Sequence, residues 1–265
     1  MRSVTTFACS GETLFGTLDA APGKTGLLIV SGGNEIRIGA HRGMAILAQK
    51  LAARGIPVFR FDRRGIGDST GKNSGFLLSG SDIGCAAATF SAEAGIERLV
   101  AFGNCDAATA LALFGPAAGI DRLILANPWV VDDHDVMPPA AAIRARYAEK
   151  LKDPREWVRL LRGNVDIPKL ASGLRKLAKK PSEVVEGLAA RFGTALRTHS
   201  TDTTILLADR DNTAIAFRAA WARPEFQALR ARIPVVTCDT ASHSFAGLSD
   251  AAWLEAQIIA AVTRE

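Results

Sequence analysis

The sequence predicts an α/β protein: a mostly parallel sheet, helices on both of its faces, and one helical insertion. Three observations predict it. Short apolar runs alternate with helical stretches through the first half of the chain and again near its end. The rhythm breaks at Pro128 and returns only at Thr203. A strand runs into a helix at Cys105 with only a tight turn between them.

The elements follow in order. Residues 26–31 (GLLIVS) form a compact apolar run bounded by glycines, the pattern of a buried strand. Residues 39–54 have helical periodicity, with Met44, Leu47, Ala48 and Leu51 on one face. A strand at 57–61 comes next. Residues 81–94 are rich in small side chains and read as a helix, with Asp82 early, where the helix dipole favours an acid. A strand at 97–102, an Ala/Leu helix at 106–114 and a strand at 120–126 complete the first half. Between residues 129 and 199 there is no strand pattern. Pro138, Pro139, Pro154, Pro168 and Pro181 punctuate short, basic, amphipathic helices there. The alternation resumes with a strand at 203–209 (TTILLAD), a helix at 213–230, a strand at 233–238 and a helix at 250–262. Residues 1–129 and 201–265 therefore make an α/β core, and residues 130–200 a helical cap. The length of 265 residues suits one such domain with an insertion.

Composition excludes several classes. Hydrophobic residues are 48% and charged residues 22% of the chain, ordinary for a globular protein. No apolar run approaches the roughly 18 residues of a membrane span, and residues 1–16 lack the pattern of a secretory leader. The four cysteines are scattered, without a CxxC pair or a histidine at metal-like spacing. We therefore expect reduced thiols, a cytoplasmic protein, no metal and no cofactor. The net charge of +5 is concentrated between residues 131 and 200, where it would attract an anionic substrate or a membrane surface; a solvated helical face is the competing reading. No nucleic-acid-binding motif is present.

Chemistry concentrates around residues 99–108 (LVAFGNCDAA). The turn Gly103-Asn104-Cys105-Asp106-Ala107 has the form G-x-C-x-A, close to the G-x-S-x-G nucleophile elbow. Such a turn strains the backbone at its tip, so residues two positions away must be small, as Gly103 and Ala107 are. The tip side chain projects above the sheet. The Asp106 amide at the helix start can face a developing oxyanion, and a helix N-terminus favours a thiolate. A buried structural cysteine is the competing reading.

The expected chain order is nucleophile, acid, histidine. After the strand at 203–209 comes Arg210-Asp211-Asn212, which makes Asp211 the acid, with Asp209 as competitor. After the last strand comes Asp239-Thr240-Ala241-Ser242-His243, which makes His243 the general base. The other histidines are His41, His134 and His199. The paired glycines of Ser31-Gly32-Gly33-Asn34-Glu35 let a backbone amide turn toward the nucleophile. We assign that second oxyanion donor to Asn34, with Gly33 and Glu35 as alternatives.

Residues 61–69 (FDRRGIGDS) resemble the D-x-R-G-x-G-x-S loop of α/β-hydrolases. More narrowly, RIGAHR (37–42), FRFDRRGIGDSTG (59–71), GNCDAATA (103–110), LANPWV (125–130) and DNTAIAF (211–217) resemble the exosortase A system-associated hydrolases, type 1, which accompany exopolysaccharide loci. The resemblance implies catalytic Cys105, Asp211 and His243. It also implies a helical cap between the sixth and seventh core strands. The expected function is hydrolysis of a small acyl substrate, an ester, thioester or lactone. The rivals are acyl transfer to a sugar or lipid, and non-catalytic binding on the same fold.

Overall fold

A computed structural model describes residues 1–132 and 187–264. Among these residues, eight strands form one sheet: β1 (Arg2–Cys9), β2 (Glu12–Asp19), β3 (Thr25–Val30), β4 (Val58–Phe61), β5 (Arg98–Asn104), β6 (Arg122–Ala126), β7 (Asp202–Ala208) and β8 (Val235–Cys238). Their spatial order is β1-β2-β4-β3-β5-β6-β7-β8. Only the β1–β2 and β2–β4 pairings are antiparallel. The helices are α1 (Gly43–Ala52), α2 (Gly80–Ala94), α3 (Asp106–Phe114), α4 (Leu188–Thr198), α5 (Asn212–Trp221), α6 (Gln227–Arg232) and α7 (Leu248–Thr263).

Strand alternation builds two cores. Leu28 and Val30 of β3 join Phe59, Phe90 of α2 and Leu111 of α3 on one face. Leu27 and Ile29 point the other way, onto Leu47 and Leu51 of α1 and Ile258 of α7. Each such fully buried side chain contributes roughly 1.5–3 kcal/mol. The sheet therefore has helices on both faces, as the pattern predicts.

Three details differ from the sequence-based expectation. Two strands precede the first one that the pattern marks. β1 is exposed over most of its length, and β2 carries Gly16 at a point where a Cβ would lie 2.3 Å from the Phe59 ring. The helix expected at 213–230 ends at Trp221, since Pro224 begins a separate short turn before α6. β5 runs two residues further than expected, so Gly103 and Asn104 lead directly to Cys105.

Most of the expected cap, residues 133–186, lies outside the described residues, as does His134. At its flanks, Asp132 Oδ1 accepts from the Leu188 N–H at 2.8 Å, and α4 buries Phe192 and Leu196 in the first core. Among the described residues, no helix is long and apolar enough to cross a membrane, and no group of three potential ligands could hold a metal ion.

Candidate active site

The parallel strands end along one edge of the sheet, and the loops after β3, β5, β7 and β8 meet there. Cys105 stands at the elbow between β5 and α3 with φ 61° and ψ −126°. A non-glycine residue in that region costs about 1–3 kcal/mol, so its surroundings must impose it. They do so by hydrogen bonds and by close approach. The Cys105 N–H donates to the Ala126 carbonyl at 3.0 Å, and the Cys105 carbonyl accepts from Trp129 at 3.1 Å. A Cβ on Gly103 would lie 2.8 Å from the Ala107 carbonyl carbon, so strand and helix cross only if that residue is glycine.

Asp211 caps α5. Its Oδ2 accepts from the Thr213 and Ala214 amides at 3.1 and 3.2 Å, an N-cap arrangement. The same oxygen lies 2.9 Å from Nδ1 of His243. Burial alone would raise the Asp211 pKa, but the His243 hydrogen bond and charge and the two amides bring it below the usual carboxylate value. His243 is pushed up to about 10, first by the Asp211 hydrogen bond and then by interaction with the Cys105 side chain. The structure therefore brings Cys105, His243 and Asp211 together. Asp209, the competing acid, instead pairs with Arg218 of α5.

The donor side is different. The Gly33 N–H donates to Asp106 Oδ1 at 2.7 Å, so a carboxylate already holds this amide. The Gly33 carbonyl accepts from the Arg63 guanidinium. The Asn34 side chain accepts from Asn73 at 2.9 Å. Gly32 is pressed against the elbow, where a Cβ would lie 2.6 Å from the Asn104 carbonyl and 3.6 Å from the Cys105 Cβ.

Two residues of the site escape the sequence reading. Asn104 and Asn127 both donate through Nδ2 to the backbone carbonyl of His243, at 3.0 and 3.1 Å. Asn127 also donates to Asn104 Oδ1 at 3.0 Å, and its Oδ1 accepts from the Ala208 amide at 2.8 Å. Asn127 is fully buried, with φ 41°. One amide thus ties the ends of β5, β6 and β7 to the histidine loop. The available signal was the asparagine ending an apolar strand just before Pro128.

Asp62 and Arg64 tie the 61–69 loop to its neighbours. Asp62 Oδ1 accepts from the Arg37 amide at 2.6 Å, and Arg64 Nε donates to Asp82 at 2.7 Å.

The strand order, the elbow and the placement of these loops are those of the α/β-hydrolase fold, and solved structures agree. The thioesterase domain from the curacin biosynthetic pathway aligns over 98% of this chain and 99% of its own, at 14% identity and TM-score 0.61. The Pyrococcus furiosus esterase Pf2001 aligns over 100% and 90%, at 12% identity and TM-score 0.65. Est1E from Butyrivibrio proteoclasticus, solved with ferulic acid, aligns over 98% and 100%, at 15% identity and TM-score 0.60. No family model and no curated protein sequence matches the chain.

Proposed function

We propose that this protein hydrolyses small acyl compounds, esters, thioesters or lactones, with Cys105 as nucleophile, His243 as acid–base and Asp211 as the group that orients and charges the imidazole. The observation that carries this reading is the Asp211–His243 pair at 2.9 Å beside the side chain at the strained elbow tip. Esterases and thioesterases share the fold.

In the first half-reaction, the Cys105 thiolate attacks the acyl carbonyl carbon. The bond to the leaving oxygen or sulfur breaks, and the His243 imidazolium gives that atom its proton. A thioester to Cys105 remains. In the second, water gives a proton to His243 and attacks the thioester, releasing the carboxylic acid and restoring the imidazolium–thiolate pair. The Asp106 amide and an amide of the 32–35 loop, Asn34 in our assignment, hold the oxyanion. For Gly33 to serve instead, the Asp106 carboxylate must first swing away. The five motif segments, between Arg37 and Phe217, support a place in exopolysaccharide production, and the scattered cysteines support a cytoplasmic setting.

One observation favours a second reading, a binding protein on the same fold: the Gly33 amide is occupied by Asp106. Alkylation separates the two. Iodoacetamide labelling of the native protein across pH, mapped by mass spectrometry, should modify Cys105 first and more slowly in His243→Ala. Burial pushes the Cys9 thiol up to about 12 and the Cys238 thiol upward, which makes them internal controls. Labelling of Cys105 no faster than these two, with no turnover of p-nitrophenyl acetate or an acyl thioester, would favour the binding protein.

A further inference from the structure

A cavity of ≈ 250 Å³ opens beside the loop that carries the Gly33 amide, with Arg63, Arg64, Lys72 and Asp82 in its wall. Arg64 is balanced: its Nε donates to Asp82 Oδ1 at 2.7 Å and its amide to Oδ2 at 3.0 Å. Arg63 is not balanced. It is only 5% exposed, yet among the described residues no carboxylate pairs with it, and its one side-chain hydrogen bond runs from Nη2 to the Gly33 carbonyl. The other buried arginines behave differently. Arg60 and Arg122, each 2% exposed, meet Asp19 at 3.1 Å and Asp202 at 2.7 Å. A buried cation without a counter-ion is costly. A guanidinium also offers five donors in a fork that suits phosphate and carboxylate, and Arg63 spends one. At the exposed rim, the Lys72 ammonium has neither an ion pair nor a hydrogen bond among the described residues.

We propose that this cavity is an anion-binding site, taking a phosphate or carboxylate group between Arg63 and Lys72. The cavity is several times the roughly 30 Å³ that one water occupies. It lies one peptide from the elbow: Arg63 holds the Gly33 carbonyl, and the Gly33 N–H meets the side chain next to Cys105. An acyl group carried on a phosphate-bearing carrier could place its phosphate here while its carbonyl faces Cys105. That carrier assignment rests on the acyl-hydrolase reading; the anion site does not.

The test is calorimetric titration of the full-length protein with sodium phosphate and, separately, with coenzyme A. The buffer is otherwise phosphate-free and of fixed ionic strength, with sodium chloride as the control. Saturable phosphate binding is expected, weakened about tenfold or more in Lys72→Gln and in Arg63→Met. Lys72 is exposed, so its variant reads the site even if Arg63→Met fails to fold. No saturable binding, or wild-type affinity in Lys72→Gln, overturns the site. Coenzyme A binding tighter than phosphate, with the preference lost in Lys72→Gln, supports the carrier. Equal or weaker binding overturns the carrier and leaves a free-anion site. No turnover enters the measurement, so failure of the acyl-hydrolase reading cannot be mistaken for failure of this one.

Discussion

On one side of Cys105, Asp211 and His243 are held by amide donors, by each other and by two asparagines, Asn104 and the buried Asn127. On the other side, the Gly33 amide faces a carboxylate where an oxyanion would need a free donor. The base side is organised before any substrate arrives, and its strain and desolvation are met by folding. On the donor side, the Gly33 amide is free for an oxyanion only after the Asp106 carboxylate leaves it. For the reaction we propose, this difference puts the variable part in residues 32–35 and Asp106, and the fixed part in Asp211 and His243.

The largest effect tests the shared centre. Cys105→Ala should abolish turnover of an acyl thioester, a loss on the order of 10⁴-fold or more. Retained activity would remove both sides of the comparison. Next, Asp211→Asn should lower kcat on the order of 10³-fold, because the amide neither fixes the imidazole tautomer nor supplies its charge. It should also return the His243 pKa from about 10 toward its ordinary 6.5, readable by NMR titration. A wild-type titration in that variant would show that Asp211 does not set the base.

The same pair makes a prediction about stability. His243 is raised above its unfolded value, so its contribution is full below pH 6.5 and fades as pH climbs toward about 10. Asp211 is depressed, so its contribution is full above pH 3.8 and disappears as pH falls below it. Melting temperatures from pH 2 to 10 should show both limbs in the wild type. His243→Gln should flatten the alkaline one.

On the donor side, Asp106→Ala should release the Gly33 amide and raise kcat/KM for an uncharged ester by up to about tenfold. A fall would mean that the carboxylate serves the reaction rather than blocking it. The smallest expected effect on turnover is that of Asn127→Ala. It leaves the Ala208 amide without its acceptor and loosens the His243 carbonyl, costing about 1–3 kcal/mol in denaturant unfolding. A loss of stability well outside that range would show that Asn127 does not act through these bonds.

Much of the site was legible because its parts are local. Glycine, nucleophile and small residue at fixed spacing, an aspartate after β7 and a histidine after β8 are chain-order signals, and each follows an apolar strand. β1 and β2 were not legible, since an exposed strand and one that contains Gly16 carry little alternation. Asn104 and Asn127 were not legible either, because an asparagine at a strand end has the same letter whether it turns toward water or toward a histidine loop. Arg63 and Arg64 are adjacent identical letters, and only burial and the Asp82 pairing of Arg64 separate them.

By itself, the sequence determined the alternation that makes a parallel sheet, the elbow that exposes Cys105 and the order of the residues that meet there. These depend on periodicity and on backbone sterics within a few residues. The tertiary structure decided which of Asp209 and Asp211 faces His243, which amide Asp106 holds and which arginine lacks a partner. Those outcomes depend on distances across strands far apart in the chain, where one ångström separates a hydrogen bond from none.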